Sequence, residues 1–334
     1  MRILVLGGTV FVGRHIVDAA LARGHEVTLF HRGRHPSHRP GDVAEVLGDR
    51  TRDLDALDGS WDAVVDTSGS LPADVAAAAA ALGPRSERYV FISSASVYAD
   101  LSTTPVTEDA PTHPPLAEGD PSTQDYGPLK VGCEQEVERA LPGRALILRA
   151  GLLVGPHDPT GRFTYWVQRI AKGGEVLAPR VPDAPVQVLD ARDLGEWVVA
   201  LVESGAVGVS NAPGPLGEHT WADLLATCAE VAGSDAEITW VDERWLLDRG
   251  VKPWLELPLW LPDELQLGGM MALDDRRARS LGLRWRSLRD TVADTLAWVA
   301  DAGDPAAVDY GTRISGAGLD PARERELLAA WHRR

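Results

Sequence analysis

The sequence predicts a doubly wound α/β fold, in which helices cover both faces of a parallel β-sheet, followed by a smaller C-terminal lobe. Short apolar runs, RILVL, EVTLF, DAVVDT and YVFISS, alternate with helix-like stretches through the first half of the chain. This alternation is typical of βαβ units, and continuous apolar runs indicate strands that are buried on both faces. A glycine-rich turn, LGGTVFVG, follows the first of these runs.

The elements of the first half follow one another in a regular order. The strand RILVL precedes a helix from Val12 to Ala22, and the alanine-rich stretch between Asp74 and Gly83 predicts a crossover helix because alanine has a high helix propensity. A loop rich in Pro, Thr, Asp and Gly runs from Thr103 to Pro128, and its length is typical of an active-site loop or a mobile lid. It leads to a helix that ends near Leu141 and then to the strand ALILR.

The glycine turn departs from the strict dinucleotide-binding pattern GxGxxG. The looser pattern GxxGxxG begins at Gly7 but has Val10 at its middle position, where a glycine normally lets backbone N–H groups approach a pyrophosphate. The last glycine, Gly13, lets the helix pack on the strand, and the helix N-terminus still offers free N–H groups to an anion. The alternative is a turn that only connects the strand to the helix and binds no cofactor. The candidate dinucleotide contacts here are Gly7, Thr9, Phe11, Val12 and Gly13.

The composition changes after residue 154. A second cluster of proline and glycine occupies residues 155–161, and tryptophan becomes frequent beyond it. We expect residues 1–154 to form a dinucleotide-binding domain and residues 155–334 to form mainly a substrate-binding lobe. Two later segments, VQVLD and VGVSNAP, are expected to return to the main sheet. The segment KPWLELPLWLP is either core and hinge or an apolar lid over a pocket.

Two further motifs indicate hydride-transfer chemistry. The stretch QDYGPLK places Tyr126 and Lys130 four residues apart, so on a helix they share one face. A tyrosine is a poor acid or base at neutral pH, and a nearby ammonium group favours its phenolate. The strand YVFISS ends in hydroxyl side chains, and ligands bind outside the carboxyl ends of parallel strands. Ser94 and Ser96 are therefore expected to face a cleft, although an exposed Tyr–Lys pair on a surface helix is the alternative for the first motif.

The end of the second strand, EVTLFHRGR, indicates which dinucleotide is bound. An acidic residue there binds the ribose 2′-hydroxyl of NAD, whereas a basic residue accommodates the 2′-phosphate of NADP. No acidic residue follows Thr28 for many residues, and Arg32 and Arg34 stand where the phosphate would lie. We expect NADP(H) in preference to NAD(H), with Asp49 and Arg50 near the adenine. The candidate cofactor contacts are completed by Thr67, Ser68, Gly69, Tyr126 and Lys130.

Charge and motif content argue against several other classes. The 334 residues carry a formal net charge of -16, which opposes binding to a nucleic-acid backbone. Cys133 and Cys228 form no CxxC pair, so a reducing, cytoplasmic compartment is expected, and no apolar run approaches the ~18 residues of a membrane span. His31, His35 and His38 lack a carboxylate or cysteine at ligand spacing, which favours a basic loop over a metal site. We expect no nucleic-acid, membrane or metal partner, and the chain is compatible with a homodimer.

The motifs GGTVFVG, FISSASVY, YGPLK and LRAGLLVGP together resemble the extended, atypical short-chain dehydrogenase/reductase group, the NAD-dependent epimerase/dehydratase-like proteins. The resemblance extends from Met1 to about Val299 and implies a Rossmann domain with a C-terminal substrate lobe. It also implies a catalytic triad of Ser94, Tyr126 and Lys130. A non-glycine at position 10 is similar to the subgroup that includes the chloroplast RNA-binding proteins and their bacterial relatives.

The resemblance narrows the expected substrate. Family members that act on nucleotide sugars commonly carry an asparagine where this chain has Leu152, and an arginine just before the strand matched by VQVLD, where this chain reads PDAPVQV. The acid pair of the 4,6-dehydratases is replaced by Ala95 and Ser96, although Arg180 could still reach a phosphate. We expect an oxidoreductase acting on a small, apolar or aromatic, non-nucleotide carbonyl or alcohol. An epimerase with the same triad and a non-catalytic nucleotide-sensing or RNA-binding protein remain the alternatives.

Overall fold

A computed structural model describes residues 1–302 and 317–334 of the chain. Its strands are β1 (Arg2–Leu6), β2 (Glu26–His31), β3 (Ala44–Leu47), β4 (Trp61–Asp66), β5 (Ser86–Ser94), β6 (Ala145–Ala150), β7 (Leu152–Val154), β8 (Glu175–Pro179), β9 (Val188–Asp190), β10 (Gly208–Ala212) and β11 (Glu237–Val241). Its helices are α1 (Phe11–Ala22), α2 (Pro72–Leu82), α3 (Tyr126–Ala140), α4 (Arg162–Ala171), α5 (Ala191–Ser204), α6 (Trp221–Ala232), α7 (Glu243–Asp248), α8 (Arg276–Ser280), α9 (Leu288–Ala302) and α10 (Pro321–His332).

The chain divides into two compact units, each built from three segments. Unit 1 contains residues 1–151, 191–214 and 273–284. Unit 2 contains residues 152–190, 215–272 and 285–334. Within the described ranges, no helix has both the length and the apolar character needed to cross a membrane.

Unit 1 is built around a seven-stranded sheet in the order β10-β6-β5-β4-β1-β2-β3, and all of its strand pairs are parallel. The helices α1 and α5 pack together, and α2 packs beside α3. Apolar residues of α2 and α3, such as Val75 and Val137, share one core with Leu4 and Phe91 of the sheet. This is the doubly wound α/β arrangement that the alternating apolar runs predict.

The two segments that were expected to return to this sheet behave differently. VGVSNAP contains β10, the edge strand beside β6. VQVLD contains β9, which pairs instead with β7 in a separate two-stranded sheet of unit 2, so the prediction for this segment is wrong. The apolar pattern of a buried parallel strand is the same in either sheet, and only the pairing partner distinguishes them.

The core of unit 2 contains most of the C-terminal tryptophans. Trp166 and Trp221 meet edge to face with 5.1 Å between ring centroids, and the Trp166 indole N–H donates to the Pro258 carbonyl oxygen at 2.7 Å. In KPWLELPLWLP, Leu257 and Trp260 are fully buried in the same core. The second half of this segment, from Leu257, is therefore packed in the core, whereas Lys252 and Leu255 are exposed. The small sheets β7-β9 and β8-β11 complete the unit.

A buried carboxyl group makes the stability of unit 2 depend on pH. Asp158 is 1% exposed, and its carboxylate accepts hydrogen bonds from the backbone N–H and the hydroxyl of Thr160 at 2.8 and 3.0 Å. Burial raises the pKa of Asp158 to about 6, because these two bonds and Arg162 compensate only partly for the loss of water. The folded chain therefore keeps this proton in a pH range in which the unfolded chain has lost it.

We expect the free energy of unfolding of the wild type, relative to Asp158→Asn, to fall by about 3 kcal/mol as the pH rises from below the unfolded pKa, about 4, to above 6. Because the folded-state pKa is raised, the unfolded state binds fewer protons in this window, and stability decreases with pH. Urea denaturation of both proteins across the window measures the difference. A difference that does not change with pH would contradict the assignment.

Candidate cofactor and active site

The glycine turn accommodates Val10 without strain. Val10 is extended, with φ -128° and ψ 141°, a conformation that any residue can adopt. The positive φ angles fall instead on Gly7 at 106°, Gly8 at 87° and Phe11 at 39°. The turn therefore has glycine at two of its three positions with positive φ, Phe11 being the third, and the middle position of the usual pattern does not require glycine.

Helix α1 rests directly on this turn. A Cβ atom at Gly13 would lie 2.7 Å from the Gly8 backbone nitrogen, so no larger residue fits there without moving the helix. The first residues of α1, from Phe11 to Gly13, have no carbonyl four residues earlier in the helix to accept from their N–H groups. With the helix dipole, these N–H groups form a site suited to a phosphate. The candidate residues Thr9 and Val12 are partly exposed beside this turn.

The loop after β2 carries the two candidate arginines. Arg32 and Arg34 are exposed, whereas His31 is buried, donates from Nε2 to Glu45 at 2.9 Å and accepts from the Gly33 N–H. Hydrogen bonds from the backbone and hydroxyl of Thr51 lower the pKa of Asp49, and the charges of Arg52 and, more weakly, Arg32 act in the same direction. Both arginines thus interact with the charge of Asp49, the other candidate on this side of the turn.

The histidines of this basic loop have partners of their own. His38 is hydrogen-bonded to Asp18 at 2.9 Å, and Arg39 bonds to the same carboxylate oxygen at 2.8 Å. Burial of Asp18 is outweighed by these two partners, which lower its pKa to about 2. Among the residues that the structure describes, no group of three or more His, Cys, Asp or Glu side chains is arranged to hold a metal ion.

Arg50 is tied to the end of β4. Its two terminal nitrogens donate to the two carboxylate oxygens of Asp66 at 2.8 and 2.7 Å, and one of them also reaches the Ser68 hydroxyl at 3.1 Å. Its Nε is buried and has no hydrogen-bond partner in the described structure. Sequence reasoning placed Arg50 near the adenine and did not foresee this ion pair, whose members are 16 residues apart in the chain.

Asp66 is completely buried and accepts from several other donors. The backbone N–H groups of Ser68 and Gly69 donate to Oδ1 at 3.1 and 3.0 Å, and the Tyr89 hydroxyl donates to Oδ2 at 3.0 Å. Burial alone would raise the pKa of Asp66, but Arg50 and these donors outweigh it and lower the pKa below the usual range. Burial and the nearby Asp66 charge raise the pKa of Tyr89 well above its ordinary value.

The candidate Ser94 lies at the end of β5. Its hydroxyl accepts from the Ser96 N–H and donates to the Ser96 hydroxyl, both at 3.1 Å. Both serines are partly exposed. A Cβ at Gly127 would collide with the Ser96 carbonyl oxygen, so the first turn of α3 lies directly against this loop. Gly127, the second residue of α3, therefore packs against Ser96, and the backbone of the preceding residue, Tyr126, begins the helix at the same loop.

Lys130 is buried one turn further along α3. Its ammonium group donates to the carbonyl oxygens of Gly69 at 2.7 Å and Ile92 at 2.9 Å, and it lies 4.6 Å from the centre of the Phe91 ring. Two of its three N–H bonds are thus committed to the backbone, which leaves one N–H for a further acceptor. The candidates Thr67, Ser68 and Gly69 belong to the same loop, and the Thr67 hydroxyl donates to the Leu6 carbonyl oxygen at 2.9 Å.

Another buried network was missed by the sequence reasoning. Glu134 follows Lys130 by one helical turn and binds Arg149 of β6 at 2.8 Å, while the Ser93 hydroxyl donates to the same carboxylate at 2.5 Å. Arg149 also approaches the Tyr98 hydroxyl at 3.3 Å, and Tyr98 donates to Asn211 at 2.5 Å. Burial raises the pKa of Tyr98 to about 12. The sequence signal for this network is the four-residue spacing of Lys130 and Glu134, which puts both side chains on one face of α3.

The parallel sheet and the glycine turn after β1 together define a Rossmann-type α/β protein. Residues 3–70 and 60–212, more than half of the chain, match the NAD dependent epimerase/dehydratase family. The chain belongs to that family, and the resemblance of its sequence motifs is confirmed.

Two curated proteins are similar to parts of the chain. The chloroplast stem-loop binding protein of 41 kDa b of Arabidopsis thaliana is 32% identical over 255 residues, which cover 70% of this chain and 63% of that protein. The 2'-dehydrokanamycin reductase of Streptomyces kanamyceticus is 35% identical over 215 residues, which cover 60% of this chain and 58% of that protein. The chain thus matches less than two thirds of the length of either relative.

A solved structure supports the fold over nearly the whole chain. The Bordetella bronchiseptica enzyme WbmG in complex with NAD is similar with a TM-score of 0.67 and 19% identity, over 91% of this chain and 95% of that chain. At this level of identity the likeness concerns the fold alone, and it confirms the predicted fold class.

Proposed function

We propose that the protein is an NADP(H)-dependent oxidoreductase of the short-chain dehydrogenase/reductase type, acting on a small non-nucleotide carbonyl compound or alcohol. The observation that carries the proposal is the packing of the first turn of α3 against the Ser94–Ser96 loop. This packing, through Gly127 and Ser96, supports a position for Tyr126 near the carboxyl end of β5. This is the edge of a parallel sheet at which ligands bind.

The residues around the glycine turn fit a dinucleotide. Gly13 leaves the first turn of α1 close to Gly8, and the N–H groups at this helix N-terminus suit a pyrophosphate. Arg32 and Arg34 are exposed and would hold a 2′-phosphate, while Asp49 would face the adenine side. Thr67, Ser68 and Gly69 would line the same cofactor. When bound, the nicotinamide supplies or accepts the hydride.

The proposed catalytic roles follow from the positions of the three side chains. Tyr126 gives a proton to the carbonyl oxygen of the substrate in the reductive direction. Ser94, whose hydroxyl is partly exposed, orients that carbonyl oxygen. Lys130 lies one helical turn from Tyr126, and its ammonium group, held by two backbone carbonyls, would offer its remaining N–H to the nicotinamide ribose.

The relative with the higher identity favours a reductase over an epimerase as the function of this protein. The 35% identical protein is described as a reductase, and its name specifies no nucleotide. The 32% identical relative is described as a stem-loop binding protein, which makes an RNA-binding function the second candidate. The net charge of -16 argues against that candidate, because RNA affinity depends on basic side chains. An epimerase would use the same three side chains.

The proposed substrate is small and its body largely apolar or aromatic. Leu152 is buried where nucleotide-sugar enzymes commonly carry asparagine, and it offers no hydrogen bond. Unit 2 contains a pocket of about 310 Å³, whose walls include Val181, Leu259 and Met271. This volume is at the lower end of ligand pockets in general. Four charged residues, Arg180, Asp183, Glu243 and Asp263, also line this pocket, and all of its lining residues belong to unit 2.

Replacing the proposed proton donor tests the mechanism. We expect Tyr126→Phe to lower the rate of NADPH consumption with a carbonyl substrate by ~10² or more, because a general acid is removed, while the affinity for NADPH is retained. Steady-state kinetics and fluorescence titration of NADPH measure the two effects separately. Near-normal turnover in the variant would refute the assignment.

The cofactor preference is tested at the loop after β2. We expect Arg32→Ala to reduce the preference for NADPH over NADH by about tenfold or more, because a charge-assisted bond to the 2′-phosphate is lost. Arg39→Ala is the matched control, since Arg39 is exposed on the same loop but is bonded to Asp18. Dissociation constants for both cofactors decide the matter. If Arg32→Ala leaves the preference for NADPH over NADH unchanged, Arg32 does not bind the 2′-phosphate.

The substrate class is tested by the stabilisation that each candidate ligand gives. We expect compact hydrophobic ketones to raise the thermal unfolding temperature of the NADPH-bound protein, and UDP and dTDP to have no effect at concentrations below about 1 mM, a range that detects weak specific binding. An anion without an arginine fork is poorly compensated when it leaves water. Stabilisation by UDP or dTDP alone would overturn the proposed substrate class.

A further inference from the structure

The direction of the Lys130 ammonium group depends on two backbone carbonyls that differ in how firmly they are held. Ile92 lies in β5 and is paired with Leu148 of β6, so its backbone is held by the sheet. Gly69 lies in the loop that follows β4, outside any regular element. The position of the Gly69 carbonyl therefore depends on what holds this loop.

Asp66 holds the loop through its backbone. Its Oδ1 accepts from the N–H groups of Ser68 and Gly69 at 3.1 and 3.0 Å. Gly69 is also closely packed, since a Cβ there would lie 2.6 Å from Val75 and 2.9 Å from Phe91. Asp66 thus holds the peptide unit before Gly69, and the close packing at the Gly69 Cα limits how far the following unit, which carries the Gly69 carbonyl, can turn.

Arg50 in turn fixes the Asp66 carboxylate. The guanidinium donates to both carboxylate oxygens, at 2.8 and 2.7 Å, so the carboxylate plane cannot rotate without losing a bond. A further bond reaches the Asp74 carbonyl oxygen at 3.3 Å and joins Arg50 to the first turn of α2. The Asp66 side chain is fully buried and that of Arg50 is 12% exposed, so water screens the pair weakly.

We propose that Arg50 is a positioning residue that orients the Lys130 ammonium group through Asp66 and the Gly69 carbonyl. The path has three steps: the guanidinium to the carboxylate, the carboxylate to the Gly69 N–H, and the Gly69 carbonyl to the ammonium. Its significance for catalysis rests on the proposed function of Lys130, whereas the path itself can be tested without turnover.

The lysine content of the chain makes a direct test possible. The sequence contains only Lys130, Lys172 and Lys252. Lys172 and Lys252 are exposed, whereas Lys130 is buried and donates two hydrogen bonds. In protein labelled with ¹⁵N-lysine, the Lys130 ammonium protons should exchange slowly enough to be seen by NMR at neutral pH, while those of the two exposed lysines exchange too fast.

The test compares Arg50→Gln with the control Tyr89→Phe. Both substitutions remove donors from the buried Asp66 carboxylate, but the Tyr89 hydroxyl binds Oδ2, away from the oxygen that holds Gly69. We expect the Lys130 ammonium protons to exchange about tenfold faster in Arg50→Gln and within about twofold of the wild type in Tyr89→Phe, at matched stability in urea. If Arg50→Gln does not fold, Arg50→Lys, which keeps the charge but loses the fork, replaces it under the same criteria.

Two outcomes would overturn the proposal. One is unchanged exchange of the Lys130 protons in the Arg50 variant. The other is faster exchange in both variants in proportion to their loss of global stability, which would mean that the ion pair only stabilises the fold. The rate of NADPH consumption is measured on the same samples. If the NMR result is as expected but the wild type has no turnover, the positioning role stands and the proposed function fails.

Discussion

Three neighbouring parallel strands, β4, β1 and β5, bring their carboxyl ends to one edge of the sheet in unit 1, and the candidate site depends on this arrangement. β1 ends in the glycine turn, β4 ends at Asp66 and the Thr67–Gly69 loop, and β5 ends at Ser94. Because β4 lies between β1 and β5, the loop after β4 contacts both neighbours: Thr67 bonds to Leu6, and Gly69 packs against Phe91. Helix α3 then adds Tyr126 and Lys130 to an edge that is already assembled.

The same edge contains two buried ion pairs, and both involve arginine. Arg50 binds Asp66, and Arg149 binds Glu134. Burying a charged pair is costly, and a well-packed apolar replacement is often as stable, so stability alone is a weak reason for such pairs. An apolar replacement could not accept hydrogen bonds and so could not orient the neighbouring donor groups. The Asp66 carboxylate holds two backbone N–H groups, and the Glu134 carboxylate holds the Ser93 hydroxyl beside Ser94.

Patterns that are local in the chain predicted the fold class, the helix that carries Tyr126 and Lys130, and the serines at the end of β5. These features depend on the period of a helix or on the end of a strand, and both can be read from adjacent residues. The Arg50–Asp66 pair could not be predicted in this way, because it requires the order of the strands in the sheet. The β9 prediction was wrong for the same reason: VQVLD has the pattern of a buried strand but does not specify its partner.

The glycine turn shows how a family motif can lose a glycine without losing its geometry. Val10 is extended, so its side chain costs nothing in backbone strain, and the left-handed conformations are concentrated at Gly7 and Gly8. Phe11, at φ 39°, is the exception. Such a conformation is unfavourable for a bulky side chain and persists only where the surrounding structure holds it. Phe11 is buried, 6.2 Å from the His15 ring on the next turn of α1, so packing can offset the strain. The shape of the turn is therefore supported by α1 as well as by its glycines.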